Sequence, residues 1–410
     1  MNYSEAEKWL FSRRRMGMKY GLERMLSLMQ DLGNPEREFE TVHIVGTNGK
    51  GSTAAILSGI AGELGISWGR GTSPHLLDYR ERITVDDLWI PKSAVAEFVT
   101  DHKHTIRKHS ATFFEITTAM AAWYFANRGV KWVAAEAGLG GRLDATRTYN
   151  GAGTVFTGVR VEHSRILGNT REKIAVEKIA IASPGTVLVA APQTYGVEKV
   201  IDSAVERENL RRVFPVPVSR SPLPGKHQLQ NSALACTAAL ELFGRSESEI
   251  EAAYQRVCTS LRWPGRLDYR KGNPSILFDV AHNPQSMEAL VNFTKSWGNS
   301  VPVVVGFLSD KPWKRMVELL KRITGTVVVT TPESERKLEA AELGSYMSSR
   351  GFKVKVREDI VEAVAVCREM AGSDSMVVTG SFHVVGKAIN ESVHRSWVTG
   401  VPNSAGDVLG

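Results

Sequence analysis

The stretch His43–Leu57, HIVGTNGKGSTAAIL, reads as an apolar strand, a turn of Gly and Asn, and then a helix of small and apolar residues. A parallel sheet presents a phosphate-binding loop in that order. The usual pattern, G-x-x-x-x-G-K-[ST], is not met, because Gly51 stands between Lys50 and the hydroxyls of Ser52 and Thr53. Gly46, Gly49 and Gly51 let backbone N–H groups converge on phosphate oxygens, and the next helix adds positive potential from its N-terminus. Thr47 and Asn48 complete the turn. Lys50 is spaced to bridge β- and γ-phosphates, with Ser52 or Thr53 reaching the phosphates or Mg²⁺. The alternative is a Gly-rich turn with no ligand; a strand, a lysine and two hydroxyls in sequence favour the loop.

Outward from this loop, strands alternate with helices. The strand covers 41–46 and its helix runs from about Ser52 to Leu64. Further apolar strands are expected at 131–138 (KWVAAEAG), at 154–160 (TVFTGVR) and in TVLVAAP, with helices over 113–126 and 171–181. Such alternation implies a parallel sheet with crossover helices. The pattern breaks at WPGRLDYRKGNPS, 263–275, and then restarts with strands at 275–281, 301–307, 325–330 and 375–380. At 410 residues the chain exceeds one ordinary core. We therefore expect an α/β protein with an N-terminal domain over 1–264, a linker at 265–274, a doubly wound Rossmann-like domain over 275–396, and a loose tail at 397–410.

Apolar residues at 42% and charged residues at 23% are those of a soluble globular protein. No run of about 18 apolar residues is present, and the N-terminus lacks the pattern of a signal peptide. Cys236, Cys258 and Cys367 lie in helix-like segments without CxxC spacing, so buried thiols in a reducing cytoplasm are expected. The net charge is +7 with a pI near 9.2, but the densest run, Arg13–Arg15 with Lys19, is short and falls on an expected amphipathic helix. Without interleaved aromatics or zinc spacing, small anionic substrates fit this charge better than nucleic acid. Neither nucleic acid nor a membrane is expected as a partner, and with no extended apolar seam a monomer is expected.

GTNGKGS, TSPHL (72–76), YRERI (79–83), FFEITT, EAGLGGRLDAT (136–146), LGNTREKIAVEK, WPGR, FDVAHNP (278–284) and TGSFHVVG (379–386) follow one another in this order. Together they resemble the folylpolyglutamate synthase/dihydrofolate synthase branch of the Mur ligase superfamily, from about residue 18 to about 386. The loop alone would indicate only the superfamily. The resemblance implies a Mur-ligase-like N-terminal P-loop ATPase domain with a parallel-rich sheet, followed by the Rossmann-like domain. It also implies the reaction: ATP phosphorylates a folate or dihydropteroate carboxylate, the L-glutamate amine attacks, and ADP and phosphate leave.

Site residues follow from the same resemblance. Ser73, Glu136 and His163 match the metal residues, with Ser52, around Mg²⁺ at two sites, and a monovalent cation is compatible with the pattern. Glu136 ends a buried strand, where a carboxylate is costly unless it holds a cation. Glu136 and His163, both expected at strand ends, would face one crevice. Glu162 stands where the family usually has Asp. Lys178 matches a lysine that the family carbamylates, although Ile179 and Ala180 depart from the usual sequence after it. Lys50, Lys178, His163 and Glu136 are thus the expected catalytic set. Asn231, Arg266, Asp279 and His282 are expected at ATP. Phe113, Phe114, Glu115, Leu143, Asp144 and Ala145 are expected at the pteroate, with Gly21–Arg24 a looser match. Glutamate recognition is expected in the second domain, near Asp310, Lys311 and Ser381. The rivals are a Mur-type ligase with another acceptor, and a P-loop NTPase acting on nucleic acid.

Overall fold

The computed structural model describes residues 1–16, 21–298 and 300–399, with the backbone only for Arg15, Met16, Ser164 and Arg165. Lys19 and most of the expected tail lie outside the described residues. The chain divides into two compact units: Met1–Pro222 with Gln228–Leu261, and Leu223–His227 with the chain from Arg262 onward.

In the first unit, the strands are β1 Glu40–Val45, β2 Trp68–Gly71, β3 Ile83–Val85, β4 Leu88–Trp89, β5 Trp132–Glu136, β6 Gly151–Phe156, β7 Val187–Ala190 and β8 Arg211–Val213. The helices are α1 Tyr3–Ser12, α2 Glu23–Asp31, α3 Lys50–Glu63, α4 Lys92–Lys108, α5 Phe113–Asn127, α6 Ser164–Leu167, α7 Arg171–Ile179, α8 Tyr195–Glu208, α9 His227–Leu242 and α10 Glu247–Ser260. The sheet order is β4-β3-β2-β5-β1-β6-β7-β8, antiparallel only where β3 meets β2 and β4. β1 is central, buried from Thr41 to Val45, and pairs in parallel with β5 and β6. The phosphate-loop stretch therefore opens at the carboxyl edge of the sheet, where α/β folds bind ligands.

α3 is buried on nearly every side, from Gly51 to Ser58 and again at Ile60 and Ala61. Its run of Gly, Ser, Thr and Ala suits that place, because small side chains let the sheet and α10 approach. α5 is likewise enclosed and starts with a capping box in which Thr112 and Glu115 exchange bonds. Arg13–Met16 form a 3-10 turn after α1 rather than part of an amphipathic α-helix. Cys367 is buried as expected, whereas Cys236 and Cys258 are only half-buried.

The second unit has strands β9 Asp268–Arg270, β10 Ile276–Asp279, β11 Val303–Val305, β12 Thr326–Val329, β13 Lys353–Val356 and β14 Met376–Thr379. Its helices are α11 Pro284–Thr294, α12 Trp313–Leu320, α13 Ala340–Ser349, α14 Ile360–Ala371 and α15 Phe382–His394. The order β13-β12-β11-β14-β10-β9 is doubly wound and parallel, except for the β9 edge, which runs antiparallel to β10. Val398 continues the chain as a bridge to Gly272, and Trp397 stacks under Arg368 at 4.4 Å. The expected tail is thus pinned to this unit as far as Thr399, whose N–H bonds to Lys271.

His43 sits in β1 with no solvent exposure, and burial pushes its pKa down to about 4. The ring stays neutral in the folded chain, while the unfolded chain takes up a proton below about 6.5. Folding is therefore weakened as the pH falls from about 6.5 to about 4, by roughly 3 kcal/mol at the lower end. We predict a lower urea midpoint at acid pH than at neutral pH, and a smaller difference in His43→Leu. An equal drop in both proteins would refute this assignment.

Candidate active site

The loop between β1 and α3 is shaped by two glycines. Gly46 has φ +154°, and a Cβ there would lie 1.9 Å from Thr157 Oγ1. Gly49 caps α3 at φ +89°, and its Cβ would lie 2.4 Å from Asn231 Oδ1. Backbone N–H groups can face a phosphate only where such side chains are missing. The loop is then tied to the chain after β6. The Thr157 hydroxyl donates to Asn48 O at 2.7 Å, and Thr47 N donates to Gly158 O at 2.9 Å. Arg160 N donates to the Thr47 hydroxyl at 3.0 Å. The Thr53 hydroxyl is buried without a partner among the described residues.

Glu136 ends β5 beside this loop, buried. Its Oε1 lies 3.7 Å from Lys50 Nζ, and its Oε2 accepts from Ser73 N at 3.0 Å. Lys50 also donates to Thr47 O at 3.3 Å. Ser73, Lys50 and Glu136 therefore meet as the sequence suggests. Among the described residues no three His, Cys, Asp or Glu cluster as a ready-made metal site. A metal here would draw on one carboxylate, hydroxyls and phosphate oxygens, a set of hard oxygens that suits Mg²⁺.

Lys178, on α7, is buried between Ile174, Ala175 and Ile179. Its Nζ donates to Gly46 O at 2.8 Å. Burial, and next the charge of Lys50, push its pKa down to about 7, against the pull of Glu162, Asp144 and Glu136. An amine so placed is substantially neutral near pH 7 and nucleophilic. α7 is held to the 136–146 loop by Arg142, whose N–H donates to Glu177 O at 2.8 Å and whose guanidinium pairs with the Glu177 carboxylate.

His163 does not sit at a strand end. β6 stops at Phe156, and His163 follows a loop, caps the short α6 at φ +51°, and pairs through Nε2 with Glu162 at 3.3 Å. Its side chain is 36% exposed, far more than Glu136. Contact with the Glu136 crevice would have to come through the loop, since the sheet does not aim this ring.

The expected pteroate residues divide. The Phe113 ring carries two guanidinium groups, Arg14 at 4.8 Å and Arg82 at 5.3 Å, and lies against Phe11 and Tyr79. Phe114 packs over Gly138, whose Cβ would lie 2.5 Å from the ring. Glu115 is occupied twice, as the capping-box partner of Thr112 and as the partner of Arg24 at 3.1 Å. Asp144 is buried and accepts from Leu139 N and Thr146 N, Ala145 is buried behind it, and Leu143 is half-buried.

In the second unit, Asp279 ends β10 and accepts from Leu267 N at 2.8 Å and Ala281 N at 2.9 Å. Burial pushes its pKa up to about 6 despite those bonds and Arg266. The Phe382 ring groups this set, with the Arg266 guanidinium at 4.9 Å and the His282 ring at 5.6 Å. Asp310 is paired with Arg336 at 2.7 Å, near Lys311 in sequence. Ser381 is buried as the cap of α15. Sequence reasoning passed over Thr157, Arg82 and Gln228. Thr157 had one visible signal, a hydroxyl at the end of a buried strand.

Residues 265–382 match the glutamate ligase domain family of the Mur ligases. The chain is 32% identical over 420 residues to a dihydrofolate synthase/folylpolyglutamate synthase of Bacillus subtilis, spanning 93% of this chain and 97% of that one. It is similar to the Escherichia coli FolC protein in complex with DHPP and ADP, with a TM-score of 0.83, 27% identity and coverage of 95% and 98%. It is also similar to a bifunctional folylpolyglutamate synthase/dihydrofolate synthase of Yersinia pestis with AMPPNP and a Mn ion, with a TM-score of 0.85, 25% identity and coverage of 96% and 98%.

The loop geometry gives a direct test. Gly46→Ala places a methyl group against the hydroxyl that holds Asn48 O, in a φ range that L residues rarely adopt. We predict an intact circular dichroism spectrum and ATP affinity reduced about tenfold or more, the scale of one lost charged hydrogen bond. Unchanged affinity by calorimetric titration would remove the loop from the nucleotide site.

Proposed function

Since the chain belongs to the dihydrofolate synthase/folylpolyglutamate synthase family, we propose that it joins L-glutamate to a folate, or to dihydropteroate, in an ATP- and Mg²⁺-dependent amide ligation. The observation that carries this reading is the packing of Lys50, Glu136 and Lys178 around one glycine loop. A substrate carboxylate oxygen attacks the γ-phosphorus of ATP, the bond to the bridging oxygen breaks, and ADP leaves. The neutral amine of glutamate then attacks the acyl carbon, its proton is lost, and phosphate leaves with the C–O bond.

Each residue has a part in that sequence. The loop N–H groups and Lys50 bind and orient the phosphates as charge shifts between oxygens. Mg²⁺ would be held by Glu136 with Ser52, Ser73 and His163, and when bound it neutralises phosphate charge. Two metal sites, with a monovalent cation besides, belong to this reading. Arg266, Asp279, His282 and Asn231 are its further nucleotide residues. Phe113 and the Asp144 turn serve the pterin end, and Asp310, Lys311 and Ser381 are candidates for glutamate. We take the enzyme as a cytoplasmic monomer; among the described residues no helix is long and apolar enough to cross a membrane.

The test of the activity is product mass. Incubation with ATP, glutamate and either dihydropteroate or tetrahydrofolate should add one glutamyl residue per phosphate released. Failure with both acceptors in the presence of Mg²⁺ would overturn the reading.

Lys178 has a role of its own in this reaction. Its neutral amine adds to CO₂ with loss of a proton, and the resulting carbamate anion is opposed by the charge of Lys50. Lys178→Ala should lose most of its ligase activity, at least a hundredfold on the scale of a preorganised charge in a dry site. Formate or acetate entering the vacated space should restore part of it. A fully active Lys178→Ala enzyme would refute the role.

A further inference from the structure

The first turn of α9 reaches the phosphate loop through a chain of side-chain amides. Gln228 is 1% exposed. Its Nε2 donates to Ser52 Oγ at 3.4 Å, and its Oε1 accepts from Asn231 Nδ2 at 2.8 Å. Asn231, also buried, lays its carbonyl oxygen over Gly49, so no side chain fits there. The hydrogens run one way, from Asn231 to Gln228 to Ser52.

That direction has a consequence for Ser52. A helical serine ordinarily turns its hydroxyl hydrogen back to a carbonyl one turn earlier. Ser58 does so within α3, donating to Ala55 O at 3.2 Å. Ser52 makes no such bond among the described residues; it accepts from Gln228 instead. One lone pair is thereby used, and the O–H remains to donate to a phosphate oxygen.

We propose that Gln228 is a positioning residue for the nucleoside triphosphate, setting the hydroxyl of Ser52 and the amide of Asn231 together. This rests on the phosphate-loop reading. Gln228 touches no reacting atom. It fixes the donor direction of two groups that do face the nucleotide, and a single amide can serve both because it donates at one end and accepts at the other. A glutamine that only filled the core would do neither.

Gln228→Glu separates the two. It keeps the shape and the acceptor for Asn231, but a carboxylate oxygen replaces the donor, so the Ser52 hydroxyl must turn and donate to it. In the full-length enzyme we expect the KM for ATP to rise about tenfold, the scale of a charge-assisted hydrogen bond, with the KM for glutamate unchanged. In a Ser52→Ala background the same substitution should change the ATP KM by less than about twofold, because the coupled group is gone. Should the glutamate variant not fold, Gln228→Met, uncharged and of similar volume, should raise the ATP KM about tenfold or more in the parent, and by less in the Ser52→Ala background, where only the lost acceptor of Asn231 remains to act. An ATP KM equal to the parent's with a lowered thermal midpoint, or a full effect persisting without Ser52, would overturn the proposal. A parent enzyme that consumes no ATP would instead fail the ligase reading, before any variant is made.

Discussion

The bond from the Lys178 amine to the Gly46 carbonyl, 2.8 Å long and buried, sets the terms for everything around it. It joins the crossover helix α7 to the end of the central strand, and it brings a second lysine beside Lys50. Two like charges out of water are expensive unless one is neutralised or opposed. The structure does both. Burial and Lys50 drive the Lys178 pKa down to about 7, while Glu136, Glu162 and Asp144 oppose them. The loop end of the site thus keeps one lysine, Lys50, beside Glu136, and a second, Lys178, whose charged form is disfavoured.

The second constraint is the closeness of backbone to side chain. At Gly46 and Gly49 the loop lies where a methyl group would collide with Thr157 and Asn231. Glycine at such places costs conformational entropy on folding. The bonds of Thr157, Thr47 and Arg160 to the loop offset part of that cost and fix its course. The second unit solves a related problem differently. Asp279 is held by two N–H donors, yet its pKa still rises to about 6, so desolvation outweighs its partners. Each unit therefore ends an inner parallel strand, β5 or β10, on a buried acid.

Much of this was legible in the sequence because long apolar runs and glycine-marked turns report buried parallel strands. Glu40–Val45, Trp132–Glu136 and Ile276–Asp279 are such runs. Ser73 and Glu136 were singled out by motif company as metal residues, but the bond from the Ser73 N–H to the Glu136 carboxylate was not readable, since nothing local marks a serine N–H as a carboxylate partner. The hairpin β3–β4 and the strand β8 were not readable. They span two or three residues each, and RRV at an edge carries no apolar signal. His163 was expected at a strand end because the apolar run before it continues to Val159. The ladder in fact stops at Phe156, where the chain turns to grip the phosphate loop. Glu115 illustrates the reverse limit: its bond with Thr112 is a local capping box, but its second use, by Arg24, depends on a residue distant in sequence.

The replacement of Asp by Glu at position 162 gains a physical sense from this geometry. The longer side chain reaches the Nε2 of its neighbour His163 at 3.3 Å, and its charge also acts on Lys178. An aspartate, one methylene shorter, would hold its charge closer to the backbone. Glu162 therefore pairs with the imidazole and adds negative charge to the surroundings of the buried amine. The half-exposed loop after β6 and the dry end of β1 share one electrostatic balance, although the sheet itself does not bring them together.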